Sequence, residues 1–298
     1  MAKALKPIVI ITGASGFLGS HLVHHFVAHG WKVVGLVRNP QKMPKQPNVT
    51  YRKYDVSKPF DDTLFVGVSY LVHAAKYDPM LPDAMEVNIE GAKRLIAASR
   101  KYKLKKNVFM STMSAHEDAV SAYGKQKLAV EKLFNTRQDV ILRSGLIVGN
   151  GGIVKQMATF MQHRRMVPLI GGGHQPLQIV AVQDLATIIE RALTLPRISG
   201  TIVTATPKVY SYKSFYQAIA KELGIKVLYV PVPFSLLLAA FRLARLLHVP
   251  LSMNEDNLLG LKMLRSADSM PGLQRVGVSL QPLETALHSA DLQSSAKR

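Results

Sequence analysis

The chain contains no cysteine, which excludes disulfides, thiolate nucleophiles and thiolate metal sites together. That absence suits a reducing compartment, so a cytoplasmic protein is the expectation. Acidic residues are also few: 19 Asp plus Glu stand against 38 Lys plus Arg, a formal charge of +19. A field of that sign favours anionic partners such as a nucleotide cofactor or a phosphorylated metabolite. The densest basic cluster, "RKYKLKK" at 100–106, reads as a helix end and loop, where cations are favourable and solvated. No basic patch interleaved with aromatics stands out and the usual nucleic-acid modules are missing, so no nucleic-acid partner is expected. Ten His are scattered without an HExxH-type cluster, so no metal site is expected.

A long uncharged apolar run is missing as well. Crossing a bilayer takes about 20 such residues, and the most apolar segment, "PFSLLLAAFRLARLLHVPLS" (233–252), is broken by Arg242 and Arg245. A helix packed on the rest of the protein is expected there, with peripheral membrane contact through 233–250 or subunit pairing as alternatives. The start, "MAKALKPIVIITG", runs from two lysines through an apolar stretch into a glycine motif without a small-residue cleavage site. It reads as a first strand and not a signal peptide.

What is present is alternation. Strand-like runs at 7–13, 31–38, 49–56, 69–75, 106–112 and 139–145 are separated by helical patterns at 16–30, 84–102 and 122–136. That spacing predicts βαβ units, hence an α/β fold with a doubly wound, mostly parallel sheet. Beyond it the pattern is less regular: a glycine-started helix at 151–165, short strands around the triple glycine of 167–182, then helices at 183–195 and 211–224. We expect residues 1–165 to form mainly a Rossmann-type nucleotide-binding domain and 166–298 a smaller C-terminal substrate lobe. The lobe is interleaved with the last elements of the main sheet at about 183–206.

"VIITGASGFLGSHLV" puts Gly13, Gly16 and Gly19 directly after the first strand and at the opening of a helix. The first permits the tight turn and the second lets backbone approach a pyrophosphate. The third brings the helix close to the sheet, and the helix N-terminus offers unpaired N–H groups to the anion. The spacing is GxxGxxG rather than GxGxxG, so its position at the strand–helix junction carries the reading. At the end of the second strand, where a carboxylate would hold the ribose hydroxyls of NAD, the sequence has Val37 and Arg38. A guanidinium there suits a 2′-phosphate, so NADP is the preferred cofactor and NAD the alternative.

At this point the chain resembles the short-chain dehydrogenase/reductase superfamily, in its extended or atypical branch of NAD(P)-dependent epimerases, dehydratases and reductases. "TGASGFLG" is similar to that branch's phosphate loop, "YGKQK" to its YxxxK motif, and "LVHAA", "NIEGAKRLIAAS", "VFMSTMS" and "LRSGLIVGNGG" to further family segments, over roughly residues 7–195. "GGGHQPLQIVAVQDLA" is more similar to the reductase-like relatives of the respiratory complex I accessory subunit than to sugar-nucleotide epimerases. The resemblance implies cofactor contacts from Gly13, Ser15, Gly16, Phe17, Leu18 and Gly19 in the phosphate loop. It implies further contacts from Asp55 and Val56 near the adenine, from His73, Ala74 and Ala75 after the fourth strand, and from Asn88, Ser111 and Lys127.

The resemblance also implies that Tyr123 exchanges a proton with a substrate oxygen while Lys127 holds the nicotinamide ribose. Residues four apart share a helix face. A phenol of pKa near 10 needs such a neighbouring ammonium to lower it towards the operating range. Thr112 is the best match for the hydroxyl that bonds the reacting oxygen, with Ser111 beside it and Ser114 one turn farther. The loop between Thr112 and Tyr123 is short, and His116 in it reads as a surface residue.

Two functions follow. One is an NAD(P)-dependent oxidoreductase or epimerase/dehydratase-like enzyme. The other is a catalytically weak or inactive NADP(H)-binding scaffold or sensor. An enzyme needs a concave pocket beside Tyr123, lined by residues such as Val148, Met157 or His174. The substrate is a small molecule, anionic by the overall charge or hydrophobic by the 233–250 segment. A homodimer through the helices flanking the sheet edge is expected of many relatives.

Overall fold

The structure, a computed structural model, describes residues 6–237, 239 and 260–293. Most of the apolar segment 233–250, and the membrane or subunit contact expected of it, lies outside the described residues.

The chain begins β1 (Ile8–Thr12), α1 (Phe17–Ala28), β2 (Lys32–Val37), β3 (Val49–Lys53), β4 (Tyr70–His73), α2 (Ala84–Lys101), β5 (Lys106–Thr112), α3 (Ala122–Glu131) and β6 (Val140–Ser144). It continues with β7 (Leu146–Val148), α4 (Gly152–Arg164), β8 (Met166–Ile170), β9 (Pro176–Leu177), β10 (Ile179–Ala181), α5 (Val182–Thr194) and β11 (Gly200–Thr204). Then come β12 (Tyr210–Ser211), α6 (Tyr212–Glu222), β13 (Leu228–Val232), α7 (Met270–Val276) and α8 (Leu283–Ser289).

Seven of these strands form one parallel sheet in the order β11-β6-β5-β4-β1-β2-β3. The order reverses at β1 and β4, and in such sheets the crevice beyond the strand ends at that point takes the ligand. The central strands β1, β4, β5 and β6 read as mostly apolar runs because both faces are covered, whereas the edge strand β3 has no buried residue. Successive side chains alternate. Val9 and Ile11 therefore pack with Leu22, Val23 and Phe26 of α1 and Leu185, Ile188 and Ile189 of α5. Ile10 turns the other way, with Leu36 and Leu71, against Leu95 and Ala98 of α2. Ala92 of α2 and Val130 of α3 cover Phe109 and Ile141 on that same side.

Glu190 of α5 ties the two helices of the first face together. One of its oxygens accepts from His25 at 2.8 Å and His29 at 2.5 Å, and the other from Trp31 Nε1 at 3.0 Å. Among the described residues this is the single His–carboxylate group whose donor atoms converge, within 4.8 Å of one another. Its members are held by mutual hydrogen bonds.

The basic run at 100–106 is used more than its solvated reading predicts. Lys106 is buried and donates to the carbonyls of Ala192 and Leu195 at 3.0 and 2.7 Å, closing the C-terminal end of α5. Arg100 pairs with the fully buried Asp139, which also accepts from the backbone N–H groups of Asn107 and Asn135 at 3.2 Å each.

A second core joins β7 and β10 to α4, α6 and α8, with Val154, Ala158 and Met161 packed among Phe215, Ile219, Leu283 and Leu287. The α4 helix, which a boundary at 165 assigns to the main domain, contributes to this second core. By contrast α5 and β11 return to the main sheet, through the first core and the β11–β6 pairing. Short ladders complete the lobe: β13 with β8 and β10 with β7 in parallel, and β12 with β9 antiparallel.

Candidate active site

Thr12 ends β1, and its hydroxyl organises the crevice. Its oxygen accepts from the N–H groups of Ala74 and Ala75 at 3.0 and 2.9 Å. Both lone pairs are then engaged, so its proton goes to His73 Nδ1 at 2.9 Å, which places the imidazole proton on Nε2. His73 stacks on Phe109 at 5.4 Å, and complete burial beside the Lys127 charge lowers its pKa to about 3. It is a neutral structural member of the crevice wall.

Gly13 follows at φ +70°, and a Cβ on it would stand 3.1 Å from the Ala75 backbone. A Cβ on Gly19 would lie 2.1 Å from the Gly13 carbonyl oxygen, so α1 crosses the loop closer than any other residue allows. Gly16 donates its N–H to Gly13 O at 2.9 Å, and α1 starts with no side-chain cap. This uncapped start beneath a tight glycine loop fits a dinucleotide pyrophosphate, whose oxygens the helix N–H groups can receive. Ser15 and Gly16 are exposed at the loop tip, and Leu18 packs against the first core. The Phe17 ring abuts Gly149, Gly151 and Gly152, where added Cβ atoms would lie 2.7, 2.4 and 2.9 Å from it.

Arg38 is exposed immediately after β2, whose last residue Val37 aligns with Lys53 of β3. Asp55 Oδ1 accepts from Ser57 N and Oγ at 3.0 and 2.8 Å. Those bonds, with Lys58 and Arg38 nearby, hold its carboxyl below the usual range. Val56 is buried under α2, touching Gly91.

Ser121 caps α3 by accepting from Gly124 N at 3.1 Å. Lys127, one turn beyond Tyr123, is buried and donates to Met110 O at 2.6 Å, with its ammonium 4.6 Å from the Phe109 ring and 6.0 Å from that of Tyr123. A second cation, Lys76, lies 5.0 Å over the Tyr123 ring. Desolvation, reinforced by Lys76, lowers the Lys127 pKa to about 7, while burial pushes the Tyr123 phenol up to about 12. The spacing predicts that Lys127 lowers the phenol's pKa; in the protein alone the shift runs the other way, because desolvation outweighs the distant ammonium.

The remaining expected residues separate. Ser111 donates to the buried Glu131, which also holds Arg143 by hydrogen bonds of 2.6–3.2 Å. That bond points it into the α3 interface. Asn88 is buried; its Oδ1 accepts from Tyr77 N at 2.9 Å, and its Nδ2 donates to Ala84 O at 2.7 Å and Gln126 Oε1 at 3.2 Å. It pins the loop after β4. Thr112 Oγ1 accepts from Ser114 N at 3.3 Å.

Beside Tyr123 opens a cavity of about 280 Å³. Ser114 lines it, as do Met157, Gln175, Tyr212 and Tyr216, but Thr112 does not. Val148 lies in the second core and His174 is outside the lining. A narrower cleft behind Tyr123 contains His73, Ala75, Lys76, Asn88 and Lys127. Tyr123 is the single residue, among those described, that faces both. Two lining residues lie beside quoted motifs without having been singled out: Lys76 directly follows "LVHAA", and Gln175 follows His174 within "GGGHQPLQIVAVQDLA".

The pattern of the NAD dependent epimerase/dehydratase family matches residues 9–204. A ceramide reductase of Caulobacter vibrioides is 30% identical over 158 residues, 51% of this chain. The chain spans about half the length of that relative (50%). The photosystem II assembly factor Ycf39 of Guillardia theta is 24% identical over 77% of this chain and 74% of its own length. Among solved structures, MoeE5 in complex with UDP-glucuronic acid and NAD superposes with a TM-score of 0.76 at 19% identity, covering 96% of this chain and 98% of that one.

Proposed function

Because the chain belongs to the NAD dependent epimerase/dehydratase family, we propose that it is a hydride-transfer oxidoreductase in which Tyr123 is the proton donor and acceptor. The observation that carries this reading is the position of Tyr123 between the cavity and the cleft that holds Lys127. A bound nicotinamide supplies or accepts a hydride at C4. The chain's own residues do the rest. Gly13, Gly16, Gly19 and the start of α1 hold the pyrophosphate, and Lys127 reaches the nicotinamide ribose. With a phenol pushed up to about 12, Tyr123 is protonated at neutral pH in the protein alone, the state that donates to a carbonyl oxygen in the reductive direction. Ser114, on the cavity wall, is better placed than Thr112 to bond that oxygen. The relative named a ceramide reductase supports a reductive direction. Arg38, with no carboxylate at the end of β2, supports NADP over NAD.

The test titrates NADPH and NADH by calorimetry, then screens carbonyl substrates with the wild type and Tyr123→Phe. The expected outcome is tighter NADPH binding, lost in Arg38→Ala, and turnover reduced at least about 100-fold in Tyr123→Phe with cofactor affinity kept. Tight NADPH binding with no Tyr123-dependent turnover favours the scaffold reading instead. Equal or tighter NADH binding removes the role given to Arg38.

A further inference from the structure

The cavity beside Tyr123 has a chemical character of its own. Its walls are Ile153, Met157, Leu169, Leu264, Tyr212 and Tyr216, and no charged side chain lines it among the described residues. A nucleoside diphosphate needs cations or charge-assisted donors to replace its water, and these walls offer none. Polar groups are few. Ser121 Oγ is engaged in capping α3. Gln175 donates through Nε2 to Ile170 O at 2.8 Å, which fixes the amide, while its Oε1 is buried with no hydrogen-bond partner. Such an orphan acceptor is costly unless something donates to it, and it belongs to a residue lining the cavity.

We propose that the cavity binds a neutral, largely apolar carbonyl or alcohol compound that also carries an amide N–H or second hydroxyl, which donates to Gln175 Oε1. The apolar body fills the Ile153, Met157 and Leu264 wall, and the reacting oxygen lies at Tyr123. The substrate class rests on the reaction assigned to Tyr123; binding itself does not require turnover. Of the two substrate types the sequence allows, anionic and hydrophobic, the described lining selects the hydrophobic one.

The test is calorimetry on the full chain, with and without NADPH, using three probes: N-(2-hydroxyethyl)octanamide, octan-1-ol and UDP-glucose. The amide is expected to bind at least tenfold more tightly than UDP-glucose. Gln175→Leu is expected to weaken the amide about fivefold and leave octan-1-ol unchanged. Ile153→Arg, on the exposed rim, is expected to weaken both apolar probes and serves if Gln175→Leu does not fold. UDP-glucose binding more tightly than the amide, or amide binding indifferent to both variants, overturns the proposal. Tyr123→Phe separates the two readings: amide binding kept, with turnover of carbonyl substrates by NADPH abolished, supports both. Amide binding kept with turnover unchanged removes the catalytic assignment alone.

Discussion

Lys127 has a folded pKa of about 7, against 10.5 for the free side chain, because burial and Lys76 both oppose its charge. Between those values the unfolded chain holds a proton that the folded chain has released. Unfolding there takes up protons, so stability rises with pH across the window. Lys106, also lowered by burial, acts in the same direction. Tyr123 works oppositely, since a phenol raised to about 12 costs stability once the unfolded phenol ionises above pH 10. The clean window is therefore pH 7 to 9.5. Urea midpoints of the protein alone are expected to climb through it, and Lys127→Met to climb less steeply. Parallel slopes for wild type and variant would remove the buried, proton-poor state assigned to this lysine.

At the scale of elements, the tightest backbone approach among the described glycines is that of α1 over its glycine loop. Gly19→Ala would put a methyl 2.1 Å from the Gly13 carbonyl oxygen, with backbone as the obstacle rather than a movable side chain. The helix must lift. The expected cost is about 1–3 kcal/mol in a denaturant melt, with NADPH affinity falling at least tenfold in calorimetry. A variant that keeps both would show that the helix and loop can separate freely. This junction was legible in the sequence because its cause is local: a strand, three glycines and a helix start within twelve residues. Six of the seven sheet strands were readable as well: the central ones, such as β1 and β5, bury both faces and declare themselves by composition, whereas the edge strand β3 has no buried residue and reads only weakly. The small lobe was readable in its helices at 151–165 and 211–224 but not in its pairings. Its strands are two to five residues long, and β13 pairs with β8 across more than sixty residues, Leu228 opposite Met166. The helix at 152–164 reads correctly as a helix, but the core it joins is set by α6 and α8, far along the chain. Within the site, the spacing of Tyr123 and Lys127 was visible; their pKa shifts were not, because desolvation and Lys76 belong to the assembled structure.

Over the whole molecule, the two cores border separate spaces, one the glycine-loop crevice proposed for a dinucleotide and the other a small apolar chamber. The +19 charge draws anions to such a surface generally, while the described lining of the chamber is uncharged. Phe17 joins the two. It sits at the first residue of α1, beside the glycine loop, and its ring presses on Gly151 and Gly152, from which α4 departs. Ile153 and Met157 on α4 then face the chamber. Anything that settles the first turn of α1 also settles that wall. The two sites should therefore be coupled, dinucleotide and apolar compound each raising the other's affinity by the same factor. NADPH is expected to tighten N-(2-hydroxyethyl)octanamide binding severalfold, and Phe17→Ala to bring that factor close to one. Identical affinities with and without NADPH in the wild type would mean that the two halves of the protein do not sense each other.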